Sequence, residues 1–270
     1  MIEVLSPGLL TTIQDLGRPG WASIGVPPSG AVDRESLELG NVLVGNPPGA
    51  AALEATLVGP RLVFRTRTLI ALTGAVRTPR TAEVEGELDV GELVGGARAY
   101  LCVRGGIEVD PVLGSRSTDL LTGLGSKPLR PGDVLAVGAD PGRPPAERRP
   151  PERQPGPLRV VPGPRDDWFE PDALTALTTA EWRVTPAANR VGIRLAGLTL
   201  DRVRTEELLS EGLVTGAIQV PPNGQPILLL NDHPTTGGYP VIAVVAEDDL
   251  CRAGQLRPGD TVRFELERGS

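Results

Sequence analysis

Residues 129–135 read Leu-Arg-Pro-Gly-Asp-Val-Leu, and residues 256–262 read Leu-Arg-Pro-Gly-Asp-Thr-Val. In each copy a Pro-Gly-Asp turn leads into an apolar stretch of strand-like composition. One copy lies near the middle of the 270-residue chain and the other near its end. Chance reuse of a common turn is the alternative explanation, but the matching positions favour an internal duplication. The repeat therefore predicts two related halves, each with a final β-strand after this turn.

Most of the chain consists of short apolar or alternating runs bounded by glycine and proline, of which it has 34 and 28. Helical periodicity is confined to residues 36–44, with Asp33 as the capping residue, and to residues 171–177. Short, evenly spaced strands favour barrels or sandwiches over a doubly wound sheet. We expect a mainly β protein of two barrel-like subdomains with a few short helices. The predicted strands are 61–64, 69–72, 100–103, 158–161, 227–230, 241–245 and 261–266.

A linker is predicted at residues 141–157, which are rich in proline, arginine and glutamate and contain no apolar anchor. Such a composition is typical of extended, solvent-exposed chain. It separates an N-terminal subdomain, residues 1–140, from a C-terminal subdomain, residues 158–270. Both halves have the size of an ordinary domain.

Charge and hydropathy exclude several classes of partner. The chain has 27 basic and 34 acidic residues, a net charge of -7, whereas nucleic-acid binding requires a basic surface. No apolar stretch approaches the roughly 20 residues of a membrane helix, and no basic segment followed by an apolar run begins the chain. We therefore expect neither nucleic acid nor membrane as a partner, and a cytoplasmic location.

The rarest residue types limit the possible chemistry. Cys102 and Cys251 have no CxxC spacing and are expected to be reduced thiols. The single histidine, His233, excludes a multi-histidine metal site, and we expect no metal. The single lysine, Lys127, lies in a Gly-Ser-Lys-Pro turn. That setting suits neither covalent biotin nor a Schiff base, so we expect no covalent biotin on this chain.

The most informative polar segment is residues 227–240, Ile-Leu-Leu-Leu-Asn-Asp-His-Pro-Thr-Thr-Gly-Gly-Tyr-Pro. An apolar strand breaks into a loop that gathers a carboxylate, an imidazole, two hydroxyls and a phenol. The two glycines permit close backbone approach and positive φ, as an anion- or carbonyl-binding loop requires. A polar hairpin loop with an Asx turn is the alternative. This loop supplies our predicted catalytic residues, Asp232, Thr236 and Tyr239, and four predicted substrate-binding residues, His233, Thr235, Gly237 and Gly238.

Two further groups of residues are candidates for substrate binding. Ser29, Gly30 and Asp33 precede the predicted helix, where backbone N–H groups can bind a carboxylate or carbonyl oxygen; an ordinary capped turn is the alternative. Arg18 and Arg190 could hold a carboxylate through two hydrogen bonds, although surface solvation would explain either one.

Walker, HExxH, GxSxG and dinucleotide motifs are absent from the sequence. Three more polar residues complete the predicted substrate-binding set: Asn41, Glu54 and Gln219.

A series of motifs along nearly the whole chain resembles the KipA family. This family is also called allophanate hydrolase subunit 2, biotin-dependent carboxyltransferase-like protein or the C-type subunit of 5-oxoprolinase. The motifs include Gly-Arg-Pro-Gly (17–20), Gly-Val-Pro-Pro-Ser-Gly-Ala-Val-Asp (25–33), Leu-Glu-Ala-Thr (53–56), Val-Leu-Gly-Ser-Arg-Ser-Thr-Asp (112–119), Gly-Ala-Ile-Gln-Val-Pro-Pro-Asn-Gly-Gln-Pro (216–226) and Thr-Thr-Gly-Gly-Tyr-Pro (235–240).

The resemblance implies a cyclophilin-like fold for each subdomain. It also implies a B-type partner of the KipI kind and an A-type partner of the LamB/YcsF kind. With them, the chain would share in ATP-dependent hydrolysis of 5-oxoproline to glutamate, with ATP bound through the complex and not clearly by this chain. The family often has Arg-Gln where this sequence has His233-Pro234, a difference expected to alter substrate contacts.

Two other functions are alternatives. The chain could be the carboxyltransferase component of a biotin-dependent urea carboxylase-like system, because carboxybiotin also develops an oxyanion during transfer. It could also be a KipA-type regulator that binds a KipI-type kinase inhibitor. For the enzymatic readings we expect Asp232→Asn and Thr236→Val to abolish activity. Because the loop is predicted to lie at the surface, both changes should leave folding nearly unchanged.

Overall fold

A computed structural model of the chain describes residues 1–148, 150, 156–204 and 206–267. Its contacts divide the chain into two compact units, Met1–Arg18 with Ser29–Glu152 and Pro19–Pro28 with Arg153–Ser270. The second unit thus includes residues 19–28, a segment that the predicted contiguous boundaries assign to the first subdomain. Of the predicted linker, residues 141–148 form neither helix nor strand, whereas residues 149 and 151–155 lie outside the described residues.

The first unit is built on one eight-stranded antiparallel sheet that curves into a nearly closed barrel. The strand order is β2-β3-β6-β4-β1-β8-β7, and β5 pairs with the other edge of β4. The predicted strands 61–64 and 69–72 join into β4, with an irregular register between Phe64 and Thr68. The elements are β1 (Ile2–Ser6), β2 (Leu10–Gln14), α1 (Arg34–Leu43), β3 (Ala52–Thr56), β4 (Arg61–Gly74), β5 (Arg80–Asp89), β6 (Arg98–Val103), β7 (Ile107–Glu108) and β8 (Val134–Val137).

Helix α1 forms where the periodicity predicts a helix. The Asp33 side chain accepts a hydrogen bond from the Ser36 amide, which satisfies one of the amides left without a partner at a helix start. Leu37 is fully buried and packs in a core cluster with Tyr100 and Cys102 of β6. Burying one such leucine contributes about 1.5–3 kcal/mol. The cap and this apolar face together fix the helix on the sheet.

The second unit is built on another eight-stranded, nearly closed sheet and a separate two-stranded ribbon, β12-β15. The sheet order is β17-β10-β11-β14-β13-β16-β9-β18; β9 and β18 are parallel and the other pairs antiparallel. The elements are β9 (Leu158–Pro162), α2 (Ala173–Thr179), β10 (Trp182–Val184), β11 (Gly192–Ala196), β12 (Glu211–Gly212), β13 (Ala217–Gln219), β14 (Ile227–Leu229), β15 (Thr236–Gly237), β16 (Val241–Val245), α3 (Leu250–Ala253), β17 (Thr261–Val262) and β18 (Phe264–Leu266).

The two copies of the repeated turn have the same hydrogen bonds. Val4 of β1 donates to Asp133 O at 2.9 Å and accepts from Gly132 N at 2.8 Å. Val184 of β10 makes the same two bonds with the aspartate and glycine of the second copy, also at 2.9 and 2.8 Å. In both copies the aspartate side chain accepts from the amide three residues earlier at 2.7 Å. The repeat thus places equivalent turns beside equivalent strands in the two units.

The described residues confirm the predicted class, mainly β with two barrel-shaped halves and a few short helices. Helix α2 lies two residues later than predicted, and α3 was not predicted. The predicted strand 261–266 is divided into β17 and β18. In the described part of the chain, no helix combines the length and the apolar character that crossing a membrane would need.

Candidate functional site

The loop of residues 231–240 connects β14 to β16 in the second unit, as the apolar runs on either side predict. Leu228 and Leu229 of β14 are buried, and burial continues through Asp232 and His233 before the loop becomes exposed. Within the loop, β15 pairs with β12, so that Thr236 lies opposite Gly212. This ribbon holds the outer part of the loop in a defined conformation.

The inner end of the loop contains a buried ion pair. Arg190 Nε donates to Asp232 Oδ2 at 2.9 Å, and Arg190 Nη2 donates to Asp232 Oδ1 at 3.0 Å. Both side chains are 0% exposed, and the Asp232 amide donates to the Arg190 carbonyl at 3.1 Å. A bidentate pair of this kind stabilises the charged carboxylate. The geometry therefore favours a positioning role for Asp232 over that of a base, and it gives Arg190 a carboxylate partner within its own unit.

This burial corrects one expectation. Asp232 does not lie at the surface, so the premise of a surface loop, from which unchanged folding was expected, is wrong for this residue. Removing one partner of a buried ion pair leaves the other charge uncompensated, which is strongly destabilising.

His233 follows the ion pair and is held as a neutral imidazole. Its Nδ1 lies 2.7 Å from the Pro234 carbonyl oxygen, which can only accept, so Nδ1 carries the proton. Burial lowers the pKa of His233, against smaller opposing effects of the Pro234 hydrogen bond and the Asp232 charge. Its Nε2 has no hydrogen-bond partner among the described residues. His233 can therefore accept a hydrogen bond or a proton at Nε2.

The outer end of the loop is open to solvent. Thr236, Gly238 and Tyr239 are exposed, and Tyr239 retains 45% of its surface. A Cβ on Gly237 would lie 2.8 Å from Leu213 Cδ1 and 3.0 Å from Gln219 Nε2. A side chain at this position would thus require the ends of the Leu213 and Gln219 side chains to shift. The positive φ suggested by the sequence is found at neither glycine of this pair.

Gln219 of β13 connects the loop to the sheet. It is 5% exposed, and its Nε2 donates to the Tyr239 carbonyl at 3.0 Å. The structure thus brings three of the predicted site residues together in the second unit: Gln219, Gly237 and Tyr239. Thr235 is half-buried, and its carbonyl accepts from the Leu213 amide at 2.9 Å.

Arg202, between β11 and β12, was missed by the sequence reasoning. Its Nη2 donates to the carbonyl of Val220, whose amide donates to Pro240 at the end of the loop. Its Nε is buried without a hydrogen-bond partner, and no carboxylate of the described residues pairs with it. Burial lowers the pKa of Arg202, and nearby Tyr239 acts in the opposite direction. No local motif marks this position, because only the tertiary fold brings it to the loop.

The predicted residues of the first half lie in the first unit. The Tyr100 hydroxyl accepts from the Asp33 amide at 2.8 Å and donates to Glu54 Oε2 at 2.7 Å. Glu54 also accepts from the Val32 amide at 3.0 Å. Burial, with added effects of the Glu54 and Asp33 charges, raises the pKa of Tyr100 well above its usual value. Tyr100 is therefore a neutral phenol that joins the start of α1 to β3.

The other candidates of this unit also make internal hydrogen bonds. Arg18 donates to the carbonyls of residues 112 and 117, and Ser29 Oγ donates to the Thr118 carbonyl at 2.9 Å. Gly30 has φ +85°, and a Cβ there would lie 2.7 Å from the Gly17 nitrogen. Asn41 Nδ2 donates to the carbonyls of residues 48 and 50 at 3.0 and 2.7 Å. These contacts support local backbone conformations, and substrate-binding roles for these residues stay predictions.

Asp15 is a second polar centre that the sequence reasoning did not single out. Its carboxylate accepts from Ser115 Oγ at 2.6 Å, Ser117 Oγ at 2.5 Å and the Arg116 amide at 2.6 Å. The amide of Gly17 donates to it at 2.8 Å. The motif at 17–20 begins two residues after Asp15, and the motif at 112–119 contains Ser115 and Ser117. The sequence does not show that Asp15 binds Ser115, because 100 positions separate them.

Comparison with known proteins gives consistent matches. A family model described as carboxyltransferase domain, subdomain A and B, matches residues 24–266. The C-type subunit of 5-oxoprolinase from Escherichia coli K12 is 38% identical, with 98% of this chain and 90% of that protein covered. The urea amidolyase of Lachancea kluyveri is 35% identical over 97% of this chain, which spans 17% of that protein.

Solved structures match equally well. TTHA0988 superposes with a TM-score of 0.87 at 36% identity, over 98% of this chain and 55% of that chain. The urea amidolyase of K. lactis superposes with a TM-score of 0.87 at 34% identity, over 97% of this chain and 18% of that chain. The chain therefore spans about half or less of the length of these two solved proteins.

Proposed function

The chain belongs to the carboxyltransferase domain family, subdomains A and B, and on that premise we propose that it is the C-type subunit of a 5-oxoprolinase complex. The observation that carries the proposal is the extent of the match. The chain covers 90% and 91% of two relatives named as this 5-oxoprolinase subunit, from Escherichia coli and Haemophilus influenzae. Its matches to urea amidolyases cover 16–17% of those proteins.

The 231–240 loop has groups suited to a cyclic amide. Opening such a ring requires hydrogen-bond donors where charge develops on the carbonyl oxygen. The exposed hydroxyls of Thr236 and Tyr239 and the backbone at Gly238 are donors at the solvent side of the loop. We assign substrate contact to Thr236 and Tyr239, and we assign to Asp232 the task of fixing the loop through Arg190.

His233 and Thr235 complete the proposed substrate side. His233 presents a neutral Nε2 that can accept a proton or a hydrogen bond. Thr235 precedes the ribbon strand β15, adjacent to Thr236. His233 stands where the family often has arginine, so this chain would use an uncharged group at that position.

We assign ATP to the partner proteins. A triphosphate needs several cations or a loop of backbone N–H groups, whereas residues 231–240 contain no arginine or lysine and the guanidinium of Arg190, which contacts this loop, already binds Asp232. The donor set of the loop therefore does not fit ATP. We propose A-type and B-type partners of the LamB/YcsF and KipI kinds, and a cytoplasmic complex, consistent with two cysteines outside disulfide bonds.

The test is reconstitution. The chain is co-expressed with A-type and B-type proteins of the LamB/YcsF and KipI kinds, and ATP-dependent conversion of 5-oxoproline to glutamate is measured. We expect turnover only from the complete complex, and a loss of about 100-fold or more in Thr236→Val. Thr261→Val is the matched control, because Thr261 is an exposed strand threonine of the same unit. A complete complex without turnover, or full turnover without this chain, would reject the proposal.

A carboxyltransferase function is the second candidate, favoured by the 35% identity to a urea amidolyase. Lys127, the sole lysine, lies in a Gly-Ser-Lys-Pro turn that does not suit covalent biotin, so we propose that biotin would be carried by another protein. Transfer from a carboxylated biotin carrier to urea, measured with the chain and without it, distinguishes this activity from lactam hydrolysis. Carboxyl transfer together with absent 5-oxoproline hydrolysis would select the second candidate.

A further inference from the structure

We propose that Arg202 binds the carboxylate of the substrate at the base of the 231–240 loop. The proposal rests on the proposed function, in which the substrate is a cyclic amide that carries a carboxylate. It transfers to Arg202 the role that the sequence suggested for Arg18 or Arg190.

The guanidiniums of the three arginines are used differently. Arg18 is 1% exposed and donates to two backbone carbonyls of its own unit, and Arg190 is 0% exposed and binds Asp232. Arg202 is half-buried and donates one hydrogen bond, from Nη2 to the Val220 carbonyl. Its Nε–H is buried and has no acceptor among the described residues. Arg202 is therefore partly open to solvent and has an unused donor.

The charge of Arg202 is also uncompensated. Arg159, Arg165 and Arg252 are half-buried arginines of the same unit, and each contacts an aspartate or glutamate. Arg202 has no such counter-ion among the described residues. Burial of an unpaired cation is unfavourable unless an anion supplies the missing charge. Burial also lowers the pKa of Arg202, the direction expected for a guanidinium that lacks a counter-ion.

Arg202 lies beside the end of the 231–240 loop. Val220 and Pro240 are joined by a hydrogen bond of 3.1 Å, so the Val220 carbonyl that holds Arg202 lies beside the end of the loop. Tyr239, next to Pro240, is 45% exposed and lies close enough to influence Arg202. Glu211 of the adjacent ribbon is already paired with Arg165. A small carboxylate with a neutral polar ring fits this setting.

The decisive measurement compares a carboxylate with its neutral analogue. In the reconstituted complex, Arg202→Gln should raise the KM for 5-oxoproline about 10- to 100-fold, with a smaller change in kcat, because a charge-assisted hydrogen bond is lost. 2-Pyrrolidinone has the same ring without the carboxylate, so its inhibition constant should not change. Arg202→Lys should recover part of the affinity, since it keeps the charge but loses the planar fork.

Arg204→Gln is the matched control. Arg204 lies two residues away, is 46% exposed and pairs with Asp167, so its loss should leave the KM unchanged. Far-UV circular dichroism and the urea midpoint of each variant check that the fold persists. An unchanged KM in Arg202→Gln, or an equal loss of 2-pyrrolidinone binding, would overturn the assignment while leaving the proposed function intact.

A wild-type complex without 5-oxoproline turnover would instead reject the proposed function. Calorimetric titration of the full chain with 5-oxoproline then decides the inference separately. Binding by the wild type that falls at least 10-fold in Arg202→Gln, with 2-pyrrolidinone binding equal in both, supports carboxylate recognition. Absence of 5-oxoproline binding by the wild type overturns it.

Discussion

Asp232→Asn should destabilise the second unit strongly, and it tests whether the Arg190–Asp232 pair supports the fold. The replacement keeps the shape of the side chain and removes its charge. Both oxygens of Asp232 accept from Arg190, at 2.9 and 3.0 Å, and neither side chain is exposed. The variant therefore leaves a buried guanidinium beside a neutral amide.

The expected loss is about 3–5 kcal/mol, the range for breaking a buried pair by removing one partner. For a protein of this size, about 2–4 °C in Tm corresponds to each kcal/mol, so the melting temperature should fall by about 6–20 °C. Arg190→Met should cost a similar amount. Because each variant removes the same interaction, the double variant should be less destabilised than the sum of the two.

Tryptophan fluorescence during urea unfolding suits this measurement. All three tryptophans, Trp21, Trp168 and Trp182, belong to the second unit, so the signal reports on the unit that holds the pair. Asp167→Asn is the matched control. In its ion pair with Arg204, the Asp167 side chain is 54% exposed and the Arg204 side chain is 46% exposed, so the pair should contribute at most about 1 kcal/mol. If Asp232→Asn unfolded within about 0.5 kcal/mol of the wild type, the reasoning would be refuted.

Two further predictions concern the same loop. Burial holds the pKa of His233 below 6.5, so in acid the unfolded chain binds a proton that the folded chain does not. The unfolding free energy should therefore fall as the pH drops below 6.5, by at most about 1.4 kcal/mol per pH unit. His233→Gln should flatten that slope in urea titrations at about pH 5–7, and an unchanged slope would contradict the assignment. Gly237→Ala should cost about 1 kcal/mol, at the low end of the range for overpacking, because only the ends of the Leu213 and Gln219 side chains must shift. Gly212→Ala, whose Cβ meets nothing within 4 Å, is its control in the same melts, and equal stability of the two variants would show that the contact is not limiting.

Local signals in the sequence were sufficient for much of the fold. The Asp33 cap and the buried spacing of residues 36–44 predict α1 because both act within one or two turns of chain. The repeated Pro-Gly-Asp turn predicts equivalent turns because the hydrogen bond that the aspartate side chain accepts lies within four residues. The joining of two predicted strands into β4 was missed, since it depends on the pairing with β5 rather than on local composition.

The site was less predictable because its important contacts are long-range. The polar composition identified the 231–240 loop, but nothing local shows that Asp232 is buried against a residue 42 positions away. Arg202 offers no motif, and its importance comes from the Val220 carbonyl, 18 positions later in the chain. Composition can thus indicate which segment is polar, whereas the tertiary fold decides which of its side chains are buried in ion pairs and which stay open to a ligand.

That difference in burial also explains how one ten-residue loop could both hold its own backbone in place and contact a substrate. A functional group works only when its backbone has one conformation, and loops achieve this when neighbouring residues hold them. Here the buried Arg190–Asp232 pair fixes the inner end and the β12–β15 ribbon fixes the outer end. Between and beside these anchors, Thr236 and Tyr239 stay exposed, and Arg202 keeps an unused donor. The polar groups that bind each other are not available to a substrate, so we expect the substrate contacts to come from the exposed residues, from His233 and Thr235, and from Arg202.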